Sequence, residues 1–526
     1  MPTRLLVLAV DAANPDLLRR WAADGTLPAI QGLIERGASI PTCGLEGLFA
    51  GSTWPSLSSG VAPGRHGIHY LAQVPPGRDA YEAITGWPER VDPFWVSLSR
   101  AGRRVAVLDV PLSRIAPGLN GIQTVEWGAH DTLYGFHASP PALETEIETA
   151  FGSHPQTGSC DARRATTDDY QDFLNRLAAG ASAKGELTRA LLGREHWDLV
   201  VQVFSEAHCA GHQCWHLHDP THPSHSETLA AALGDPLERT YRAVDAAIGR
   251  VLAEAAGATV ILLASHGMAH SYGTQFLLPE LLFRLGVAAP TREEARRRTR
   301  WWRGARRGWR TLPEGARASL GSIVRRGDTT SQPGQGLPTV PVDVSRSLCF
   351  PVANGPAVGA IRLNVVGREP AGRLEPADVE AFSDRLAVDL SAVVDLDTGL
   401  PLVRRVVQTN ELYSGPCLEL LPDLLVEWSD NGPTANTHTG PRDAAIVRAA
   451  SKKTGTVRGV NAWGRTGEHR PGGLVVAAGE GIRPGKLPEA SILDIAPTIT
   501  RLLGVRVPDV DGAPIIGLGP PLAADG

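Results

Sequence analysis

Two apolar runs with the character of buried strands, each emptying directly into histidine, constrain the fold of this chain most strongly. The first, Leu199-Val-Val-Gln-Val-Phe204, leads into Ser205-Glu206-Ala-His208-Cys-Ala-Gly-His212-Gln-Cys-Trp-His216. The second, Ala258-Thr-Val-Ile-Leu-Leu-Ala264, leads into Ser265-His266-Gly267-Met268. Short continuous apolar runs suit strands covered on both faces, as in parallel sheets. Between them, Pro236–Ala255 carries Leu237, Val244, Ile248 and Val251 at helical spacing. Strand, helix and strand in that order predict a parallel βαβ unit. Ligands of open α/β sheets collect at the carboxyl ends of strands, where both histidine clusters fall. His208 and His212 are four residues apart. A helix there puts both imidazoles on one face, able to share a metal ion.

The remaining pattern extends the α/β reading. Leu5–Val10 is predicted as the first strand, with Asp11 at its end, followed by helices over Pro15–Ala23 and Pro28–Arg36. Arg104–Val110, Leu424–Glu427 and Gly473–Ala477 read as further strands, and Gly359–Val366 as a strand with one wet face. Ile492–Leu503 reads as a closing helix stopped by Gly504. The chain divides into a first core part (1–289), an insertion and linker (290–345) and a second core part (346–526). The insertion interleaves arginine with tryptophan, as in Arg300-Trp-Trp-Arg303 and Arg306-Arg-Gly-Trp-Arg310. Such a mixture can bind phosphates, anionic lipid or nucleic acid. A net charge of −5 offers no matching basic field, so a helical insertion packing its tryptophans on the body is expected, with no nucleic-acid partner. The N-terminal apolar run is too short for a membrane span and lacks a cleavage pattern. Six scattered cysteines form neither a zinc-ribbon spacing nor a disulfide framework. A cytoplasmic protein without a transmembrane segment is expected.

Four pieces carry chemistry. Asp11 follows one strand, His208 and His212 a second, and His266 a third. Ser52 or Thr53 sits in a turn before a helix, where free backbone N–H groups can hold an anion. Histidine and carboxylate together suit zinc, manganese or iron, and a hydroxyl beside a divalent ion becomes a nucleophile. The reaction class is metal-assisted attack on a phosphate or sulfate ester. Each residue also has a bland reading. An Asp after a strand is commonly a helix cap, and a threonine in a turn commonly a cap as well. Cys209 and Cys214 read as inert buried thiols. His216, His218, His222 and His225 read as mostly surface, with His216 able to line the site.

The order of these pieces resembles the alkaline phosphatase superfamily, within it the type I phosphodiesterase/nucleotide pyrophosphatase family. Ser52-Thr53-Trp-Pro followed by Ser59-Gly60-Val-Ala-Pro-Gly-Arg-His66-Gly-Ile68 resembles the nucleophile helix. Glu206-Ala-His208-Cys-Ala-Gly-His212 resembles Glu-Pro-Asp-x-x-Gly-His, and Ser265-His266-Gly-Met268 resembles Asp-His-Gly-Met. Gly467-Glu-His469 resembles the late ligand histidine, and Ser491-Ile-Leu-Asp494 with Asp511-Gly512 the C-terminal signature. The resemblance implies a three-layer α/β/α fold with a mostly parallel central sheet and a helical Arg/Trp-rich insertion. It implies one metal on His208, His212 and His469, and a second on Asp11, Thr53, Ser265 and His266.

Several positions depart from the family pattern. His208 and Ser265 replace carboxylates, so one tight site and a weaker second one are expected, most simply for zinc. Counting back from Gly60 by the family's interval lands on Ala50, so Ser52 stands beside Thr53 as candidate nucleophile. The family's asparagine falls near Leu71 and is missing, with His69 or Tyr70 as stand-ins. The resemblance implies a metal-dependent phosphoester hydrolase, a phosphodiesterase or nucleotide pyrophosphatase acting on a small-molecule phosphoester. The alternatives are a weakly active or non-catalytic member binding metal and a phospholigand, and a phosphoryl transferase.

Overall fold

A computed structural model describes residues 4–84, 91–130, 132–156, 159–294 and 340–518. The Arg/Trp-rich stretch of the expected insertion lies outside the described residues. The centre is a ten-stranded sheet. Its members include β1 (Leu5–Val10), β2 (Ala38–Cys43), β3 (Val105–Leu108), β4 (Gly121–Val125), β5 (His137–Ser139), β6 (Leu199–Phe204) and β7 (Thr259–Ala264). β1 pairs in parallel with β6 on one side and β7 on the other. β3 continues the parallel run between β6 and β4. Thus β6 and β7 are parallel members of one sheet, as the βαβ pattern predicts, but the crossover carries the chain past β1 rather than to an adjacent strand.

Alternation along β1 explains the three layers. Leu6, Leu8 and Val10 enter one apolar cluster with Trp21, Leu174 and Ile248. Leu5, Val7 and Ala9 enter another with Trp54, Trp95 and Ile499. Both faces are therefore covered, which is why every residue of this strand is apolar. The first face carries three helices, α1 (Thr167–Arg194), α2 (Glu206–His218) and α3 (Pro236–Glu254). α1 starts with a reciprocal cap between Thr166 and Asp169, and α3 with Asp235 accepting from the Leu237 and Glu238 N–H groups.

A four-stranded antiparallel sheet, built from Cys349–Val352, Val358–Leu363, Leu424–Trp428 and Val403–Gln408, has its own apolar cluster. Val358–Leu363 is buried throughout, correcting the expected wet face. Its polar member, Arg362, is buried and paired with Glu369 at 2.7 Å. The chain returns to the central sheet late. Two short strands, β8 (Gly267–His270) and β9 (Gly467–Arg470), pair antiparallel and set Met268 opposite His469. β10 (Gly473–Ala478) then lies antiparallel between β7 and β2. The closing helix begins as a 3-10 turn, Ile492–Asp494, before Ile495–Leu502.

Candidate metal and phosphoester site

The carboxyl ends of β1, β6 and β7 open onto one cleft of about 600 Å³, mouth included. Asp11 ends β1 and is buried. Its Oδ1 accepts from Trp54 Nε1 (2.7 Å) and Ser265 Oγ (3.0 Å), and its Oδ2 from His208 Nδ1 (2.6 Å). Burial alone raises such a carboxyl, but the neighbouring His208 outweighs it and holds Asp11 well below the usual range. Ser265 Oγ also lies 3.0 Å from His266 Nδ1.

The helical expectation for 206–216 holds: α2 places His208 and His212 one turn apart, with Nε2 atoms 2.9 Å from each other. His469, brought by β9 from the far end of the chain, sets its Nε2 2.9 Å from His208 Nε2. Three imidazoles from two remote segments thus converge. His208 commits its Nδ1 proton to Asp11, and His212 commits its own to Gly467 O at 2.8 Å. Both Nε2 atoms therefore carry lone pairs, which repel at this distance unless a cation lies among them. The Nδ1 of His469 has no hydrogen-bond partner among the described residues. Oriented imidazoles backed by a carboxylate and a carbonyl are a familiar metal-ligand arrangement. The donor set fits a divalent metal. Zinc, manganese and iron all accept such nitrogens.

Burial also keeps these rings neutral. It drives His208 down to about 4 and, with Arg465 nearby, takes His212 well below its ordinary value. Metal retention is therefore expected to persist as the pH falls through 6.5, the ordinary imidazole value, and to fail toward 4. Metal analysis after dialysis at stepped pH tests this, and loss already near 6.5 would remove the burial argument.

The second expected metal set, Asp11, Thr53, Ser265 and His266, is not assembled in the same way. Both oxygens of Asp11 already accept from N–H or O–H donors. His266 Nδ1 lies 4.0 Å from Asp11 Oδ1, and its Nε2 has no partner among the described residues. Thr53 Oγ1 turns back to Phe49 O at 2.6 Å, and Ser52 Oγ to Ile68 O at 2.7 Å. Neither residue lines the cleft, whereas Ala50, Gly51 and Trp54 do. All belong to one continuous helix, Phe49–Ser59, closed by a left-handed Gly60. Ala50 and Gly51 of its first turn line the cleft, and the N-terminal end of a helix is favourable for an anion. A side chain at Gly51 would strike His69 O, 2.1 Å from the Cβ position.

Other residues are found elsewhere than the sequence indicates. Tyr70 and Leu71 line the cleft, while His69 is buried away from it. Glu206 faces Lys184 and His154, and His270 pairs with Asp430. His216 and His222 are buried, not surface: Tyr170 and Thr466 hold His216, and the His222 ring packs against that of His216. Sequence reasoning missed Arg465, Asp161 and His130. Arg465 lines the cleft, is gripped by Asp161 (Nε–Oδ1 2.9 Å, Nη2–Oδ2 2.8 Å) and points Nη1 at His212 Nε2 from 3.0 Å. Glu468 also lines the cleft, its carboxyl raised to about 7 by burial.

A profile of the type I phosphodiesterase/nucleotide pyrophosphatase family matches residues 5–308. Among solved structures, murine ectonucleotide pyrophosphatase/phosphodiesterase 5, as an inactive variant in complex with AMP, is 11% identical. It covers 97% of each chain with a TM-score of 0.49. A second structure of the murine protein is 11% identical with a TM-score of 0.47, covering 97% of this chain and 98% of that one. The human protein is likewise 11% identical, at 0.48 and 97% of each chain. No curated protein matches the chain.

Proposed function

Because this chain belongs to the type I phosphodiesterase/nucleotide pyrophosphatase family, we infer that its histidine-lined cleft receives a small-molecule phosphoester and holds it without a covalent bond to the protein. The reading is a metal- and phosphoester-binding member of a hydrolase family. One observation carries it: the helix that faces the ligand presents Ala50, and the hydroxyls of Ser52 and Thr53 are turned into backbone carbonyls.

The residues divide the work. His208, His212 and His469 would hold the ion, with Asp11 fixing the tautomer of His208. When bound, a divalent ion supplies positive charge and Lewis acidity toward a phosphoryl oxygen. The first turn of Phe49–Ser59 offers backbone N–H donors to the same group. Arg465 adds planar guanidinium donors suited to phosphate, and Asp161 keeps that side chain from collapsing into solvent. Arg465 Nη1 faces His212 Nε2 at 3.0 Å, the same lone pair an ion on the three imidazoles would use. Among the described residues that line the cleft, Tyr70 alone carries a side-chain hydroxyl.

Substitution at the helix tests the reading. Thr53→Ala and Ser52→Ala are expected to leave metal content and AMP affinity within about twofold of the parent, since neither side chain meets the ligand. Ala50→Thr is expected to gain hydrolysis of bis-p-nitrophenyl phosphate, by about 100-fold over the parent, because it installs a hydroxyl at the cleft wall. Parent activity that Thr53→Ala abolishes would overturn the reading. A second reading rests on Glu468, whose carboxyl is suited to general-base work near neutrality: attack by water in place of a side chain. Parent turnover lost about 100-fold in Glu468→Gln, but kept in Thr53→Ala, would select it.

A further inference from the structure

We propose that His130, Cys160 and Cys209 form a second, sulfur-rich metal site for a borderline ion such as zinc, at the cleft wall that His130 lines. It goes beyond the phosphoester reading and does not depend on it. Cys209 lies on α2 directly after His208, Cys160 precedes α1, and His130 follows β4. All three are buried, and their ligand atoms lie within 4.8 Å of one another. Both sulfurs address the same ring nitrogen: Cys209 Sγ stands 3.2 Å and Cys160 Sγ 3.3 Å from His130 Nδ1. A single N–H cannot point well at two sulfurs, whereas one cation between them serves all three donors. Both cysteines are free thiols.

The chemistry selects the ion. Two thiolates and one imidazole favour zinc over magnesium or calcium, which prefer oxygen. Two thiolates also cancel the charge of a divalent ion, so the loaded site adds no net charge to the interior. Arg465 does not forbid this. Its contacts to Asp161 run from 2.8 to 3.1 Å, and the looser approach to His130 Nε2, 3.4 Å, is the one that yields. The role would be positional. Such an ion ties α2, which carries His208 and His212, to the loop carrying Asp161, the residue that aims Arg465. The His130 ring also lies over His208, with centroids 4.0 Å apart.

Metal analysis and cobalt spectroscopy on the full chain test the site. The parent is expected to hold two zinc ions and Cys160→Ser one. His212→Ala, reloaded with cobalt, should display thiolate-to-cobalt charge-transfer absorption, because its remaining ion sits on sulfur. Cys209→Ser should lack that absorption. Unchanged zinc in Cys160→Ser, or cobalt-loaded parent without a thiolate band, would overturn the proposal, as would a Cys160–Cys209 disulfide found in the native protein. The parent spectrum decides the matter even if a cysteine variant fails to fold. Zinc lost in Cys160→Ser but unchanged in His212→Ala would support this site while refuting the three-imidazole one.

Discussion

A His212→Ala chain is expected to leave purification without the ion held by the three imidazoles, and with its affinity for AMP reduced in parallel. His212 Nε2 lies 2.9 Å from His208 Nε2, and its other nitrogen is locked on Gly467 O. Removing a group that merely orients a ligand commonly costs 10–100-fold in metal affinity, so deleting the ligand itself should exceed about 100-fold. The deletion also removes the His212 acceptor that Arg465 Nη1 faces at 3.0 Å. Residual AMP binding in the variant therefore measures Arg465 and the helix N-terminus alone. Calorimetry with zinc, and with AMP in the presence and absence of zinc, separates these contributions. Zinc affinity within about threefold of the parent would refute the three-imidazole assignment.

The second large effect lies beneath the site. Lys184→Met is expected to destabilise the chain by about 3–5 kcal/mol, the usual consequence of stripping a buried charge of its partner. Lys184 is fully buried on α1. Its ammonium donates to Gly128 O (2.8 Å) and Val203 O (3.0 Å), with Glu206 Oε1 at 3.6 Å and Asp109 Oδ2 at 3.9 Å. Removal leaves two buried carboxylates facing each other's field. Burial would raise Glu206, but Lys184 and then His154 overcome it and hold its carboxyl below the ordinary 4.5. A depressed carboxyl stabilises the fold above its unfolded value and loses that effect as the pH falls. The gap between parent and variant should therefore narrow below about pH 4.5, where Glu206 takes up a proton. Urea midpoints measured across that range give the result. A difference under about 1 kcal/mol at neutral pH would show that the charge network is dispensable.

What was legible in the chain was whatever strand geometry controls. Asp11, His208, His212 and His266 each follow a buried apolar run, and a sheet collects such ends in one place. His469 was legible only through the family motif, because β9 is short and lacks apolar character. His130, Asp161 and Arg465 come from loops, where no periodicity marks a residue as inward-facing, and only tertiary contact reveals them. The candidate nucleophiles show how far a local motif reaches. Ser-Thr-Trp-Pro draws the eye to Thr53, yet Phe49–Ser59 is an unbroken helix, and a helix cannot loop out three residues to bring that hydroxyl forward. Here Thr53 Oγ1 faces Phe49 O, while Ala50 of the same helix lines the cleft. Cys209 and Cys214 are buried free thiols, as expected; in isolation Cys209 is an ordinary core thiol, and the metal role proposed for it depends on Cys160 and His130 arriving from elsewhere.

The antiparallel lock of β8 against β9, with β10 wedged between β7 and β2, has a consequence for biosynthesis. One wall of the cleft carries His469, 261 residues after His208, so a ribosome must pass far beyond α2 before the third imidazole can meet the other two. Nascent chains and early-termination products ending ahead of position 467 should carry the first pair of imidazoles but no third, so the three-imidazole arrangement closes late in synthesis.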